Sequence, residues 1–216
     1  MPSLDTSLAF FATAFMLALA PGPDNLFVLM QSATGGRRVG FAVVCGLMIG
    51  VLVHTLAVAL GLAAVFAASA TAFTALKLAG AAYLLYLAWG AWHAPAMQAE
   101  QLPDASHAGA QAAHTPWHRL VLRGVFMNLT NPKVVLFFLA LLPQFVQPGR
   151  GPVGTQILWL GLIFIAAASL VFSAVVLAAS ALRTRLLGSA KAQRLLNRVT
   201  ALVFVGLAAR LALATR

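Results

Sequence analysis

The sequence is poor in charge and almost devoid of acid: 8% of its 216 residues are charged, and the only carboxylates are Asp5, Asp24, Glu100 and Asp104. Soluble domains carry about 25% charged residues, so this chain lacks the means to build a water-facing shell. A hydrophobic content of 62% also excludes a disordered polymer. Cysteine is nearly absent. The single Cys45 lies within an apolar run, which rules out an internal disulfide or a Cys-rich metal cluster and leaves a small packing residue. The formal net charge of +10 comes from Lys and Arg spread thinly among apolar runs. They form no single basic face, so nucleic acid is not an indicated partner. Residues 1–15 lack the basic n-region of a cleaved signal, and their apolar run ends in Pro-Gly-Pro rather than a small-residue cleavage site, so they read as a retained span.

What remains is apolar sequence, with a mean hydropathy of +0.93. The bilayer takes the place of water as solvent. Runs at 4–30, 39–66, 71–92, 120–146, 153–182 and 195–214 are each long enough to cross it as a helix. The first and fourth are interrupted at Pro21-Gly22-Pro23 and at Asn131-Pro132, where the missing amide hydrogen and the ring clash break the helical ladder. The expected architecture is therefore an all-α membrane protein of six transmembrane helices, with helices 1 and 4 broken.

Orientation follows from base. The loops joining spans 1 to 2, 3 to 4 and 5 to 6 hold Arg37, Arg38, Arg119, Arg123, Arg183, Arg185, Lys191, Arg194 and Arg198, whereas the other side holds Arg150 and Arg216. Lys and Arg favour the cytoplasmic side, so both termini are expected outside the cytoplasm. The segment 93–118, rich in Ala, Gln and His, reads as a cytoplasmic linker between a first repeat, 1–92, and a second, 119–216. Its histidines, at 93, 107, 114 and 118, lack compact ligand spacing and read as a solvated loop, with no metal site or cofactor expected.

The halves resemble each other weakly. Pro23-Asp24-Asn25-Leu26 can be laid on Pro132-Lys133-Val134-Val135, and Leu76-Lys77 on Leu196-Asn197. Three spans per half require the second half to enter from the opposite face, giving two inverted three-helix repeats, an arrangement that in secondary transporters puts the site near the midplane on broken helices. Asp24 and Lys133 then occupy matching positions. A charge at a span's centre costs about 2.5–3.5 kcal/mol on insertion scales and so calls for a partner or a wet cavity. Asn131 is a candidate N-cap, which places both charges near half-helix N-termini. Asp24 is favoured there and Lys133 is not, so Lys133 calls for a nearby anion, either Asp24 or a substrate carboxylate. The competing reading puts both charges near the interface, with Lys133 snorkelling and the prolines merely kinking their helices.

Asn25, Asn128, Thr130 and Asn131 add polar groups that either meet a ligand or cap freed backbone. His54, the one histidine inside a span, lies on a stripe of Gly46, Gly50, Ala57 and Gly61 suited to close helix packing, within a monomer or in a homodimer. It reads as an interface histidine or a proton relay. Lys77 reads as a second cationic site residue or a snorkelling one. Tyr83, Tyr86, Trp89 and Trp92 suit an interfacial aromatic belt.

The segments LALAPGPDNLFVLMQSATGGRRVGFAVVCGLMIG, FTALKLAGAAYLLYLAWGAW and LTNPKVVLFFLALLPQFV, in this order and spacing, closely resemble the LysE/RhtB family of bacterial amino-acid exporters. The resemblance covers essentially the whole chain. It implies efflux of an amino acid or close derivative across the bacterial inner membrane, driven by protons, and places the family pattern on Pro21, Gly22, Pro23, Lys77, Asn131, Pro132 and Lys133. The resulting expectation is a site of Pro21, Gly22, Pro23, Asp24, Asn25, Lys77, Asn131, Pro132 and Lys133, with Asp24 or His54 coupling protons. An intramembrane enzyme is the weaker alternative, because His54 lacks a nucleophile-and-base constellation and no HExxH motif occurs. A passive channel also remains compatible with broken helices.

Overall fold

The computed structural model describes residues 1–20, 22–68, 70–93, 115–147, 149–187 and 189–213. Among them every regular element is a helix. Helix α1 spans Leu4–Leu19, α2 Pro23–Ala68, α3 Ala70–His93, α4 Trp117–Leu129, α5 Pro132–Leu136, α6 Val153–Leu187 and α7 Ala190–Leu213. After α5 the chain continues as a π-helical turn, Phe137–Leu141, and a 3-10 turn, Leu142–Phe145.

Both sequence-derived breaks are present. Helix α1 stops at Leu19, and a new helix starts at Pro23, where a missing amide hydrogen is harmless. Ser3 caps the start of α1, its hydroxyl accepting from the Thr6 amide. Asn131 caps α5 as expected: its Oδ1 accepts from the Lys133 amide at 3.1 Å. The helical pair Trp117–Leu129 and Pro132–Phe145 bends by 53° at this break.

The expected loops are a point of correction. Residues 30–39 form no open loop between spans; α2 is two helices joined at Gly36, whose φ of 80° and ψ of 178° only glycine adopts readily. Likewise α6 runs on to Leu187 and α7 begins at Ala190, so the basic residues sit on helix ends rather than in loops. Polar, charged helix extensions beyond an apolar run satisfy their own backbone, which is why hydropathy alone cuts them short.

Pro23–Gly61 and Val153–Ala179 are each long and apolar enough to cross a membrane, and the bent pair forms a third such unit. The distribution of polarity is inverted relative to a water-soluble fold. Leu60, Leu213, Leu4 and Trp89 are 80%, 80%, 73% and 69% exposed, while Asp24, Lys133 and Gln156 are buried. Such an exterior belongs in lipid.

Helix α2 is central. It packs along α6 and α4, α1 packs on α6, and α3 pairs with α7. Glycines set the closest approaches. A Cβ on Gly46 would strike the Val121 carbonyl of α4, and one on Gly124 would strike the Val43 carbonyl of α2, so the two backbones touch. Gly50 likewise faces Asn128, making α2 and α4 parallel, whereas Gly40 faces Val176 and Gly161 faces Thr55, making α2 and α6 antiparallel. The small-residue stripe thus works at Gly46 and Gly50. It does not extend as expected to Ala57 and Gly61, which are exposed, with nothing among the described residues near Gly61 for a side chain to meet.

Candidate functional site

The two breaks face each other, and the opposite charges beside them meet. Lys133 Nζ lies 2.9 Å from Asp24 Oδ1, with both side chains 4% exposed. The lysine is not snorkelling: its ammonium is enclosed. It also donates to the Ala20 carbonyl at 3.1 Å, to Asn25 Oδ1 at 3.2 Å and, at 3.5 Å, to the Leu17 carbonyl. An ammonium has three hydrogens, so these four acceptors share them.

This carbonyl cage was missed from the sequence, although its cause is written there. In a helix the amide of residue i donates to the carbonyl of i−4. Proline at 21 has no amide hydrogen, so the Leu17 carbonyl is left without its normal donor, and the helix end frees Ala18 and Ala20 as well. Lys133 serves Leu17 and Ala20, and Asn25 Nδ2 donates to Ala18 at 2.7 Å. Lys133 was expected at an unfavourable helix N-terminus, but its ammonium reaches across to the C-terminal end of α1, where the helix dipole favours a cation.

Asp24 sits in the first turn of α2, where an anion is favoured, and its Oδ1 also accepts from the Asn25 amide at 3.0 Å. Gly22 lies against the pair: a Cβ there would lie 2.9 Å from both Asp24 Oδ1 and Lys133 Nζ, so these side-chain ends would have to shift. Beside the pair is a narrow cavity with room for about one water molecule. Asp24, Lys133 and Asn128 supply its polar lining, and Met48, Phe164 and Phe172 are among its apolar walls.

The remaining candidates divide. Asn25, Asn131 and Lys133 join the cluster, and Pro132 opens α5. Thr130 does not join: it is exposed, and its hydroxyl donates to the Phe126 carbonyl, the backbone-capping role. His54 is half-buried, its Nε2 lying 3.5 Å from the Asn128 carbonyl and its ring 5.8 Å from that of Phe138, outside the cavity lining. Pro21, His107 and His114 lie outside the described residues, and Lys77 lies on α3 with its side chain also outside them. Tyr86, Trp89 and Trp92 are exposed, as an aromatic belt requires, with Arg198 stacked 5.5 Å over Trp92. Tyr83 is half-buried.

A buried ion pair between broken helices, in a bundle with an apolar exterior, defines an α-helical membrane protein with a polar centre. Comparison with known proteins assigns it further. Residues 15–215 match the family described as LysE type translocator, and the chain belongs to that family. Its members are transporters, not enzymes. The chain is 38% identical over 149 residues to an uncharacterised membrane protein of Pseudomonas aeruginosa, covering 67% of this chain and 66% of that protein. It is 37% identical over 154 residues to a homoserine/homoserine lactone efflux protein of Salmonella typhimurium, covering 71% and 70%. Against a leucine efflux protein of an Enterobacter species the identity is 30% over 199 residues, covering 92% of this chain and 91% of that protein. No solved structure gives a significant match.

Proposed function

We propose that this protein exports an amino acid or close derivative across the bacterial inner membrane in exchange for protons, through six spans arranged as two inverted repeats. The observation that carries the reading is the enclosed Lys133–Asp24 pair at facing helix breaks. It offers one cationic and one anionic pole, the complement of a zwitterion's carboxylate and ammonium, beside apolar walls suited to a side chain. The relatives named as homoserine and leucine efflux proteins point to the same substrate class.

Helix pairing supports the repeat. Exchanging spans 1, 2 and 3 with 4, 5 and 6 turns the α1–α6 contact into the α4–α2 contact and leaves the α2–α6 and α3–α7 pairings unchanged. Depth supports a central site: α4 has 13 residues and the first arm of α2 covers 23–35, so each break lies about 20 Å from the Arg-bearing end of its span. That is near the middle of a bilayer about 40–45 Å thick including headgroups. The topology is supported by the Ser3 amide donating to Gln147 Oε1 at 2.8 Å, which sets the start of the chain beside the Arg150 loop, opposite the basic helix ends.

On this reading the substrate ammonium goes to Asp24 and the carbonyls that Lys133 now occupies, and Lys133 turns to the carboxylate. The cavity is too small for an amino acid until the pair opens, so the enclosed arrangement is the resting state between loadings. Protonation of Asp24 or His54 from outside would weaken the cation contacts and drive release. An inside-negative potential supplies about 2.3 kcal/mol per proton charge per 100 mV, equivalent to about fiftyfold accumulation. In proteoliposomes, imposed proton and electrical gradients should drive uphill amino-acid movement that a protonophore abolishes. Absence of movement of any amino acid or derivative, with folded protein present, would reject the assignment.

A further inference from the structure

Among the described residues, two buried amides at the span 4 break have atoms with no partner. Asn131 is 2% exposed, and because its Oδ1 is committed to capping the Lys133 amide, its Nδ2 is left as a buried donor without an acceptor. Asn128, also 2% exposed, lines the same cavity as Asp24 and Lys133, and its Oδ1 has no partner either. A Cβ on Gly50 would lie 2.7 Å from that oxygen, so Oδ1 lies against α2, and among the described residues nothing accepts from the Nδ2 at the other end of the amide. An unsatisfied buried polar group costs about 1–3 kcal/mol. A hydrophobic residue at 128 would avoid that cost, and a serine at 131 would cap equally well with one rotatable O–H in place of two fixed amide N–H donors. The idle Asn131 Nδ2 donor and the cavity-lining amide of Asn128, three residues apart on one break and beside the only lysine of the cluster, are placed to offer N–H groups to an acceptor.

We infer that Asn128 and Asn131 are substrate-binding residues that donate side-chain N–H groups to the substrate carboxylate, alongside Lys133. This inference rests on the exporter reading and deepens it. The span 4 break then forms the carboxylate pole, with one ammonium and two amides, and the span 1 break forms the ammonium pole, with Asp24, Asn25 Oδ1 and the carbonyls of Leu17 and Ala20. The division explains how the carboxylate is held early. Neutral amide donors are available while Lys133 is still paired to Asp24, so an arriving carboxylate meets donors before it competes for the lysine.

The test uses the full-length protein in proteoliposomes and the amino acid that the wild type moves best from a panel of the standard L-amino acids and homoserine. Inhibition constants are measured for two analogues of it: the primary amide, which lacks the carboxylate charge, and the deaminated acid, which lacks the ammonium. Wild type should discriminate strongly against both. Asn128→Leu and Asn131→Ser should each lose about ten- to hundredfold of the discrimination against the amide, the range for a hydrogen bond to a charged group, and keep that against the deaminated acid. Thermal midpoints in detergent add a reading that a structural role would move in the other direction. Asn128→Leu removes an unsatisfied acceptor and should melt no lower than wild type, and Asn131→Ser retains a capping oxygen. Equal loss of both discriminations with a lowered midpoint, or wild-type discrimination in both variants, overturns the inference and leaves the exporter reading standing. If no amino acid moves through wild type, the exporter reading falls and takes this inference with it.

Discussion

Removing the lysine should harm the protein more than removing the aspartate. Both charges are enclosed and 2.9 Å apart, so breaking the pair from either side leaves a group without its partner. What each group retains differs. With Asp24→Asn, Lys133 keeps the carbonyls of Ala20 and Leu17 and Asn25 Oδ1. The loss is one charged hydrogen bond, about 1.5–3 kcal/mol. With Lys133→Met, Asp24 keeps only the Asn25 amide as a described donor, and the freed carbonyls of Leu17 and Ala20 lose theirs. That is the buried unpaired charge whose penalty is about 3–5 kcal/mol. In the double variant the stranded carboxylate is gone, so it should be more stable than Lys133→Met alone by about 1 kcal/mol or more. The assay is a double-mutant cycle on unfolding in mixed micelles, with membrane abundance as a control. Additive losses within about 0.5 kcal/mol, or wild-type stability in Lys133→Met, would refute the reasoning.

Gly46→Ala puts a methyl group into the Val121 carbonyl and should destabilise by about 1–3 kcal/mol, whereas Gly61→Ala meets nothing and should stabilise by about 0.5–1 kcal/mol, both read as unfolding midpoints. Cysteine labels at positions 107 and 149 should react from opposite faces of the membrane, 107 from the cytoplasm; labelling from one face would sink the six-span topology. In the Cys45→Ser background these labels report on single sites, since Cys45 is the chain's only cysteine.

Much of this was legible in the sequence because membrane constraints are one-dimensional. A proline removes a donor wherever it stands, so both breaks were placed to the residue, and two opposite charges beside them in apolar sequence could be paired before any coordinates. The Asn131 cap followed from its position before Pro132. Less legible were features that depend on a third element. That Leu17 and Ala20 cage the lysine needs the path of span 4 across the end of α1. That the glycine stripe ends after Gly50 depends on where α4 stops, at Leu129; Ala57 and Gly61 are exposed, and among the described residues nothing lies near a Cβ on Gly61. Helix ends were misjudged because Arg37, Arg119 and Lys191 lower hydropathy without ending a helix.

The energetics of the pair bear on transport as well as on stability. Enclosing two charges costs several kcal/mol per ion, and their attraction roughly repays it, so an intact buried pair contributes little net stability even though breaking it is severe. A zwitterion brings the same two charges in the same sense. If its ammonium replaces that of Lys133 at Asp24 and the Ala20 carbonyl, and Lys133 takes the carboxylate, then each buried charge exchanges one partner for another and none is left bare. On the proposed exporter reading, the barrier to loading includes the opening of the narrow cavity and the moment of exchange, when Lys133 has left Asp24 and the substrate is not yet seated. Donors that need no exchange, the amides of Asn128 and Asn131, would lower that barrier by holding the carboxylate first. The physical requirement on a carrier is that empty and loaded sites differ little in energy while the exchange is sterically open from one side at a time, and an ion pair at two facing helix breaks meets the first half of it.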